Sequence, residues 1–265
     1  MDTRRPFQFW RQQLALDLGT AAIRIAAGHG PVQELPSRLG SRAGLRDGVV
    51  VDQETVAQLL RPQLARRRLF GIVKPRVLAC APSDASWEER MRLCRAVLEA
   101  GAASVYIIPE PLAAAVGAGL DVSSPYAQLV VDIGAGVTDC ALIRMSRIQN
   151  TAALRIGCSR LQDSAQTAWK QVGDLLERFI HDLPPETGCE VIESGICVTG
   201  GGALIPGLPA YLEARTGITV TPAALPCHCV VEGARAILPV VVMLNIWDYN
   251  SPGAATTQNH KGVTQ

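Results

Sequence analysis

The distribution of apolar and polar positions divides this chain into short blocks, and two of the blocks share one plan. Leu14 to Gly28, LALDLGTAAIRIAAG, and Leu129 to Ile143, LVVDIGAGVTDCALI, each run from aliphatic residues into an aspartate, cross a turn of small residues and resume as a second apolar run. Superposed, Leu14 meets Leu129, Asp17 meets Asp132, Leu18 meets Ile133 and Gly19 meets Gly134, at a constant offset of 115 residues. Self-similarity of this kind marks an internal repeat. Aliphatic and β-branched residues on both sides of a small-residue turn predict a hairpin of two buried strands in each copy.

Between and after the hairpins the pattern alternates between strand and helix. A polar connection from His29 to Arg46 leads to a turn at Asp47-Gly48 and a strand from Val49 to Asp52. A helix follows with Val56, Leu59, Leu60 and Leu64 inward, then a strand from Arg76 to Ala81 and a helix from Ser86 to Ala100 that buries Met91, Leu93, Cys94, Val97 and Leu98. Strand Val105 to Ile108 ends at Pro109-Glu110-Pro111, and Leu112 to Leu120 reads as a small-residue helix suited to close packing on another helix. Beyond the second hairpin, Leu161, Trp169, Val172, Leu176 and Phe179 mark one amphipathic helix from Arg160 to Leu183, ended by Pro184-Pro185. Ile196 to Val198 reads as a buried strand, Leu208 to Thr216 as a helix and Val231 to Ile237 as the last one. Pro239 to Trp247 is apolar, and the residues after Asn250 have disordered composition. This alternation is that of a layered α/β fold.

A chain of 265 residues forms one large domain or two modest ones, and the repeat favours two. Hydrophobic content of 48%, 18% charged residues and a net charge of +1 describe a globular protein and give no reason to invoke nucleic acid. No apolar run in the sequence pattern reaches the roughly 18 residues that span a bilayer, and the N-terminus lacks a secretory h-region, so a cytoplasmic protein is expected. Cys80, Cys94, Cys140 and Cys197 lie in apolar patterns and read as reduced core thiols. Cys227-His228-Cys229 has metal-ligand chemistry without a second pair at zinc-site spacing.

The candidate chemistry sits in the turns. A tight turn aims several backbone N–H groups at one point and suits a phosphate oxygen. Asp17 and Asp132, at the ends of the entering strands, place carboxylates where Mg²⁺ takes oxygen ligands, often through its waters. Two facing hairpins would grip a nucleoside triphosphate from both sides. Asp-x-Gly is also a common turn, but two matched copies and a third glycine-rich turn at Thr199-Gly200-Gly201-Gly202 favour the phosphate reading. Glu110 stands at a strand-to-helix junction, where it either orients an attacking water or complements the helix dipole. Two further stretches combine cations with large apolar residues. They are the N-terminus, with Phe7, Phe9 and Trp10 beside Arg4, Arg5 and Arg11, and Arg66 to Lys74, which holds Leu69, Phe70, Ile72 and Val73. Both suit a membrane interface, against the alternatives of a disordered or packed terminus and a loop that fills the core.

With these motifs placed, residues 14 to 238 resemble the actin, Hsp70 and sugar-kinase superfamily, and within it most closely the bacterial actin homologue MreB. Asp17-Leu18-Gly19-Thr20 is similar to the first phosphate motif, and Asp132-Ile133-Gly134-Ala135-Gly136-Val137-Thr138 to the second. Glu110-Pro111-Leu112-Ala113-Ala114 is similar to the connecting motif, and Thr199 to Leu208 to the adenosine motif. The resemblance implies an actin-like (ribonuclease H-like) duplicated fold, with a membrane-targeting segment at 1–13, domain I at 14–125 completed by about 230–248, domain II at 126–229 and a disordered tail at 249–265. It implies ATP with Mg²⁺ as ligand, held by Asp17, Gly19, Thr20 and Ala21, by Gly134, Ala135, Gly136 and Thr138, and by Gly157, Gly200, Gly201 and Gly202. Glu110 and Asp132 are the implied catalytic residues of a weak ATPase, and Asp17 and Asp132 the implied metal residues. Implied partners are ATP or ADP, the inner membrane surface, and full-length MreB or other cell-shape proteins. The chain is shorter than MreB-like proteins, with Gly28 to Arg46 and Arg160 to Leu183 standing where whole subdomains are expected. Ala22, Ile23, Ala135, Val137 and Cys158 replace motif residues. A nucleotide-independent interaction module on the same fold is the alternative, and an Hsp70-like or kinase-like ATPase a more distant one.

Overall fold

A computed structural model describes residues 13–163 and 165–244. Phe7, Phe9 and Trp10, with the predicted segment at 1–13 and tail at 249–265, lie outside or at the edge of these described residues.

The repeat is built as two five-stranded sheets of identical topology. The first holds β1 (Gln13–Leu18), β2 (Ala22–Ala26), β3 (Gln33–Pro36), β8 (Arg76–Ala81) and β9 (Ser104–Pro109), in the order β3-β2-β1-β8-β9. The second holds β10 (Gln128–Ile133), β11 (Thr138–Arg144), β12 (Arg147–Leu154), β13 (Ile196–Thr199) and β14 (Val220–Pro222), in the order β12-β11-β10-β13-β14. In each, the central strand pairs antiparallel with its hairpin partner and parallel with the strand on its other side. The remaining short strands, β4 (Arg38–Leu39), β5 (Arg42–Ala43), β6 (Leu45–Arg46) and β7 (Val49–Val50), form two small hairpins, largely within the segment read as a polar connection.

Helices cover both faces of both sheets, which explains why the strands read as unbroken apolar runs. On the outer face of the first sheet, α1 (Gln53–Ala65) and α2 (Trp87–Glu99) pack on Leu14, Leu16 and Leu18. Asp52 caps α1, and Ser86 with Glu89 forms a capping box on α2. Outside the second sheet, α5 (Ala165–His181), α6 (Pro185–Ser194) and α7 (Leu208–Thr216) pack on Leu129, Val131 and Ile133, and the short α4 (Cys158–Asp163) stands beside them. The described residues of the predicted helix at 160–183 fall mainly in α4 and α5, on either side of residue 164. Pro184-Pro185 does more than end them, because Pro185 is the first residue of α6, a position where a missing N–H costs nothing.

The layer between the sheets holds α3 (Glu110–Gly117) and α8 (Cys229–Leu244), enclosed by small residues of both sheets, among them Ala15, Ala26, Val130 and Ala141. The two helices touch backbone to backbone. A Cβ on Gly117 would lie 1.9 Å from the Cys229 carbonyl oxygen, and one on Gly233 1.8 Å from that of Ala113. The last helix is longer than the sequence reading of Val231 to Ile237. The stretch Pro226–Leu244, with a mean hydropathy of 1.7, has the length and composition to cross a membrane. Val231, Ala234, Leu238 and Val241 nevertheless fill the central core, so it is a core helix despite meeting a criterion the sequence pattern had excluded.

The loop after α1 is open. Phe70 is 87% and Ile72 81% exposed, Val73 is exposed and Leu69 is half-buried, so the alternative in which Phe70 and Val73 fill the core does not hold. Phe70 and Gly71 both take left-handed backbone, with φ of 54° and 73°, and a bridge between Leu69 and Val73 closes the turn beneath them.

Candidate functional site

The ends of the parallel strands converge on one cleft between the sheets, the region where α/β proteins collect their sites. Asp17 is the next-to-last residue of β1, Asp132 that of β10, and Glu110 opens α3 directly after β9. With exposures of 6%, 6% and 8%, they are three buried carboxylates facing one cavity of about 210 Å³. Gly19, Thr20, Ala21, Gly134, Ala135, Gly136, Gly200 and Gly201 complete most of its wall.

The turns are held against one another by close backbone approach. A Cβ on Gly136 would meet the Asp47 Cα at 2.8 Å and the Thr20 hydroxyl at 2.9 Å, so the second turn sits on the first sheet's side of the cleft without a side chain. The Thr20 hydroxyl accepts from the Gly48 N–H at 2.8 Å, which brings the Asp47-Gly48 turn to the rim. Gly200 has φ of 74° and passes directly under the Ile133 carbonyl, a path open to glycine. Three expected residues do not line the cavity. The Thr138 hydroxyl donates to the Ile156 carbonyl at 2.8 Å, Gly157 packs behind the Gly134 turn, and Gly202 packs on the Ile133 side chain. They shape the turns from behind.

Arg24, which belongs to none of the motifs, lies in the wall. In β2 it stands on the half-buried side with Ala22, while Ile23 and Ile25 are buried. Arg24 Nη1 lies 3.3 Å from Asp17 Oδ2 and Nε 2.7 Å from Glu34 Oε1, and Glu34 Oε1 also meets His228 Nε2 at 3.1 Å. Gly48, Cys158 and Cys227 are further wall residues outside the expected set. Within the Cys227-His228-Cys229 segment, Cys227 faces the cleft, His228 joins Glu34 and Cys229 is buried against α3.

Burial dominates the electrostatics. It raises Asp17 to about 6 against the opposing pull of Arg24. Burial likewise raises Asp132, opposed by the Thr199 hydroxyl that donates to its Oδ1 at 2.6 Å and by the Arg24 guanidinium. Glu110 goes well above the usual carboxylate range through burial and the nearby Asp17 and Asp132 charges. Beside the cleft, Asp139 is raised by burial to about 7, while the Ser83 N–H donates to its Oδ2 at 2.6 Å and joins the two sheets. A hard divalent cation suits such oxygen donors. Among the described residues no three metal-binding side chains cluster closely enough to cage an ion, so the donor set fits a cation that keeps its waters.

Two sheets of one topology, meeting at a carboxylate-lined cleft around a central helix pair, define an actin-like fold. The family model described as "MreB/Mbl protein" matches residues 36–167 and 158–245, and the chain belongs to that family. It is 28% identical to the cell shape-determining protein MreB of Escherichia coli (strain K12), with 82% of each chain covered. That alignment runs over 285 residues, more than the 265 present here, so the relative carries segments this chain lacks. Among solved structures, MreB5 of Spiroplasma citri bound to ADP superposes with a TM-score of 0.76 at 22% identity, covering 86% of this chain and 96% of that one. The MamK double helical filament superposes with a TM-score of 0.70 at 17% identity, covering 87% and 99%.

Proposed function

We propose that this protein is an ATP-binding, membrane-associated scaffold component of the cell-shape cytoskeleton, cytoplasmic and peripheral on the inner face of the cell membrane. The observation that carries the nucleotide reading is the convergence of three buried carboxylates and three glycine turns on a single cavity. In this reading the Gly19–Ala21 and Gly134–Gly136 turns donate backbone N–H groups to phosphate oxygens, and the adenosine lies over Gly200 and Gly201 at the cleft's mouth. Asp17 and Asp132 would hold Mg²⁺ through its waters, and the ion would supply positive charge against the phosphates. The MreB5 structure with ADP is consistent with this assignment. The chain divides into actin-like domains at 14–125, completed by about 230–248, and 126–229.

In this reading Glu110 would orient a water, and burial, which pushes its carboxyl well above the usual carboxylate range, works against its accepting that water's proton. Hydrolysis is accordingly weak. Membrane attachment runs through Phe70, Ile72 and Val73, with Leu69 as their half-buried base and Phe7, Phe9 and Trp10 as a second element. Full-length MreB or another cell-shape protein is the partner. Equilibrium binding of a fluorescent ATP analogue with Mg²⁺ tests the core of this reading. Wild type should bind, and Asp132→Ala should bind at least about tenfold more weakly after losing a charged partner. Equal and negligible binding by both would favour the nucleotide-independent module.

A further inference from the structure

The cleft wall contains three acidic side chains, Asp17, Glu110 and Asp132, and among the described residues one cation, Arg24. A polyphosphate entering a site with that imbalance needs positive charge from somewhere. Arg24 is placed to supply it. Its side chain is 19% exposed and stands in β2 between Asp17 on β1 and Glu34 on β3, its register partners on either side. The two contacts differ in quality. Nε is held by Glu34 at 2.7 Å, whereas Nη1 reaches Asp17 at 3.3 Å, long for a charge-assisted bond. A guanidinium has five N–H donors, and Nη2 makes no hydrogen bond among the described residues. Glu34 is itself held by His228 at 3.1 Å, so the anchor keeps its place when the contact to Asp17 is exchanged.

We propose that Arg24 binds the phosphates directly and carries part of the countercharge usually left to Mg²⁺, so that this cleft takes nucleoside di- and triphosphates with little dependence on the metal. The Nε–Glu34 bond fixes the arginine stem, and the Nη groups pass from Asp17 to a phosphate oxygen. Arginine suits this exchange because its planar fork is pre-organised and less is lost per hydrogen bond formed. The inference rests on the nucleotide reading above and adds to it the identity of the cation.

The test is the affinity for fluorescent ADP and ATP analogues in Mg²⁺ and in EDTA, for wild type, Arg24→Gln and Arg24→Lys, with a thermal melt of each to confirm folding. Wild type should lose less than about tenfold on chelation. Arg24→Gln should lose at least about tenfold more than wild type in EDTA, the loss of one charged hydrogen bond, and Arg24→Lys should fall between them. If Arg24→Gln does not fold, the wild-type ratio and Arg24→Lys decide. Wild-type binding that appears in Mg²⁺ and vanishes in EDTA overturns the role of Arg24 and leaves the nucleotide reading intact. So does Arg24→Gln binding that equals wild type in EDTA. Absence of wild-type binding in both buffers overturns the two together.

Discussion

Replacing Phe70 and Ile72 by serine should detach the protein from anionic membranes without disturbing its fold. With exposures of 87% and 81%, neither side chain contributes much to the folded state, so the melting temperature should move by little. On a bilayer each buries an apolar surface worth roughly 1.5–3 kcal/mol, about 3–6 kcal/mol for the pair, or roughly 10²- to 10⁴-fold in partitioning. The loop is also rich in charge: Arg66, Arg67, Arg68, Lys74 and Arg76 flank it, and none has an acidic partner among the described residues. Each cation close to an anionic leaflet adds about 1 kcal/mol, which should disappear in high salt. Leu69 is the wrong position for the experiment, because it is half-buried and paired with Val73 at the base of the turn. The assay is co-sedimentation with phosphatidylglycerol-containing vesicles at low and high salt, with the double variant's melt as control. A folded double variant that sediments as well as wild type, or a wild type that never sediments, would show that this loop does not attach the protein to membranes.

Three further outcomes are expected. Gly233→Ala, placing a Cβ 1.8 Å from the Ala113 carbonyl oxygen, should force α3 and α8 apart and cost about 3 kcal/mol or more in chemical denaturation; a stability equal to wild type would contradict the packing. Asp17 at about 6 and Asp139 at about 7 both lie above the carboxylate's ordinary 3.8, so the folded nucleotide-free protein holds protons that the unfolded chain releases. Stability should therefore fall as pH rises from about 5 to 7.5, by on the order of 1 kcal/mol for Asp17 and somewhat more for Asp139, which titrates later. Glu34 and Glu89 are pulled the other way, below the ordinary 4.5, and add only a small rise at the window's low end, so a melting temperature that rises across it would refute the assignment. Filament assembly by the purified protein should be poor or partner-dependent, because the chain lacks segments its relatives carry, and robust ATP-dependent pelleting of the protein alone would show those segments to be dispensable.

The buried half of the molecule is legible in the sequence because it obeys simple patterns. Strands covered on both faces appear as apolar runs, and the repeated hairpin in the sequence corresponds directly to the two matching sheets. What escapes the pattern lies at the edges. β12 has only exposed and half-buried residues, so its apolar signal is weak. β3 to β6 are two to four residues long, too short for any period. Pro184-Pro185 carries the same local chemistry at the end of one helix and the start of another, and only packing distinguishes them. In the site, residues at strand ends and in glycine turns are readable because their chemistry demands those types. Arg24 is not, since its role depends on Asp17 and Glu34 arriving from neighbouring strands. The rearward positions of Thr138, Gly157 and Gly202 depend likewise on three-dimensional packing.

Phosphate binding between Asp17 and Asp132 would be seen in a crystal structure grown with ADP and Mg²⁺. Density is expected for the diphosphate within hydrogen-bond distance of backbone N–H groups in both the Gly19–Ala21 and Gly134–Gly136 turns, with adenosine over Gly200 and Gly201. An empty cleft at saturating nucleotide, or a nucleotide bound away from both turns, would contradict it.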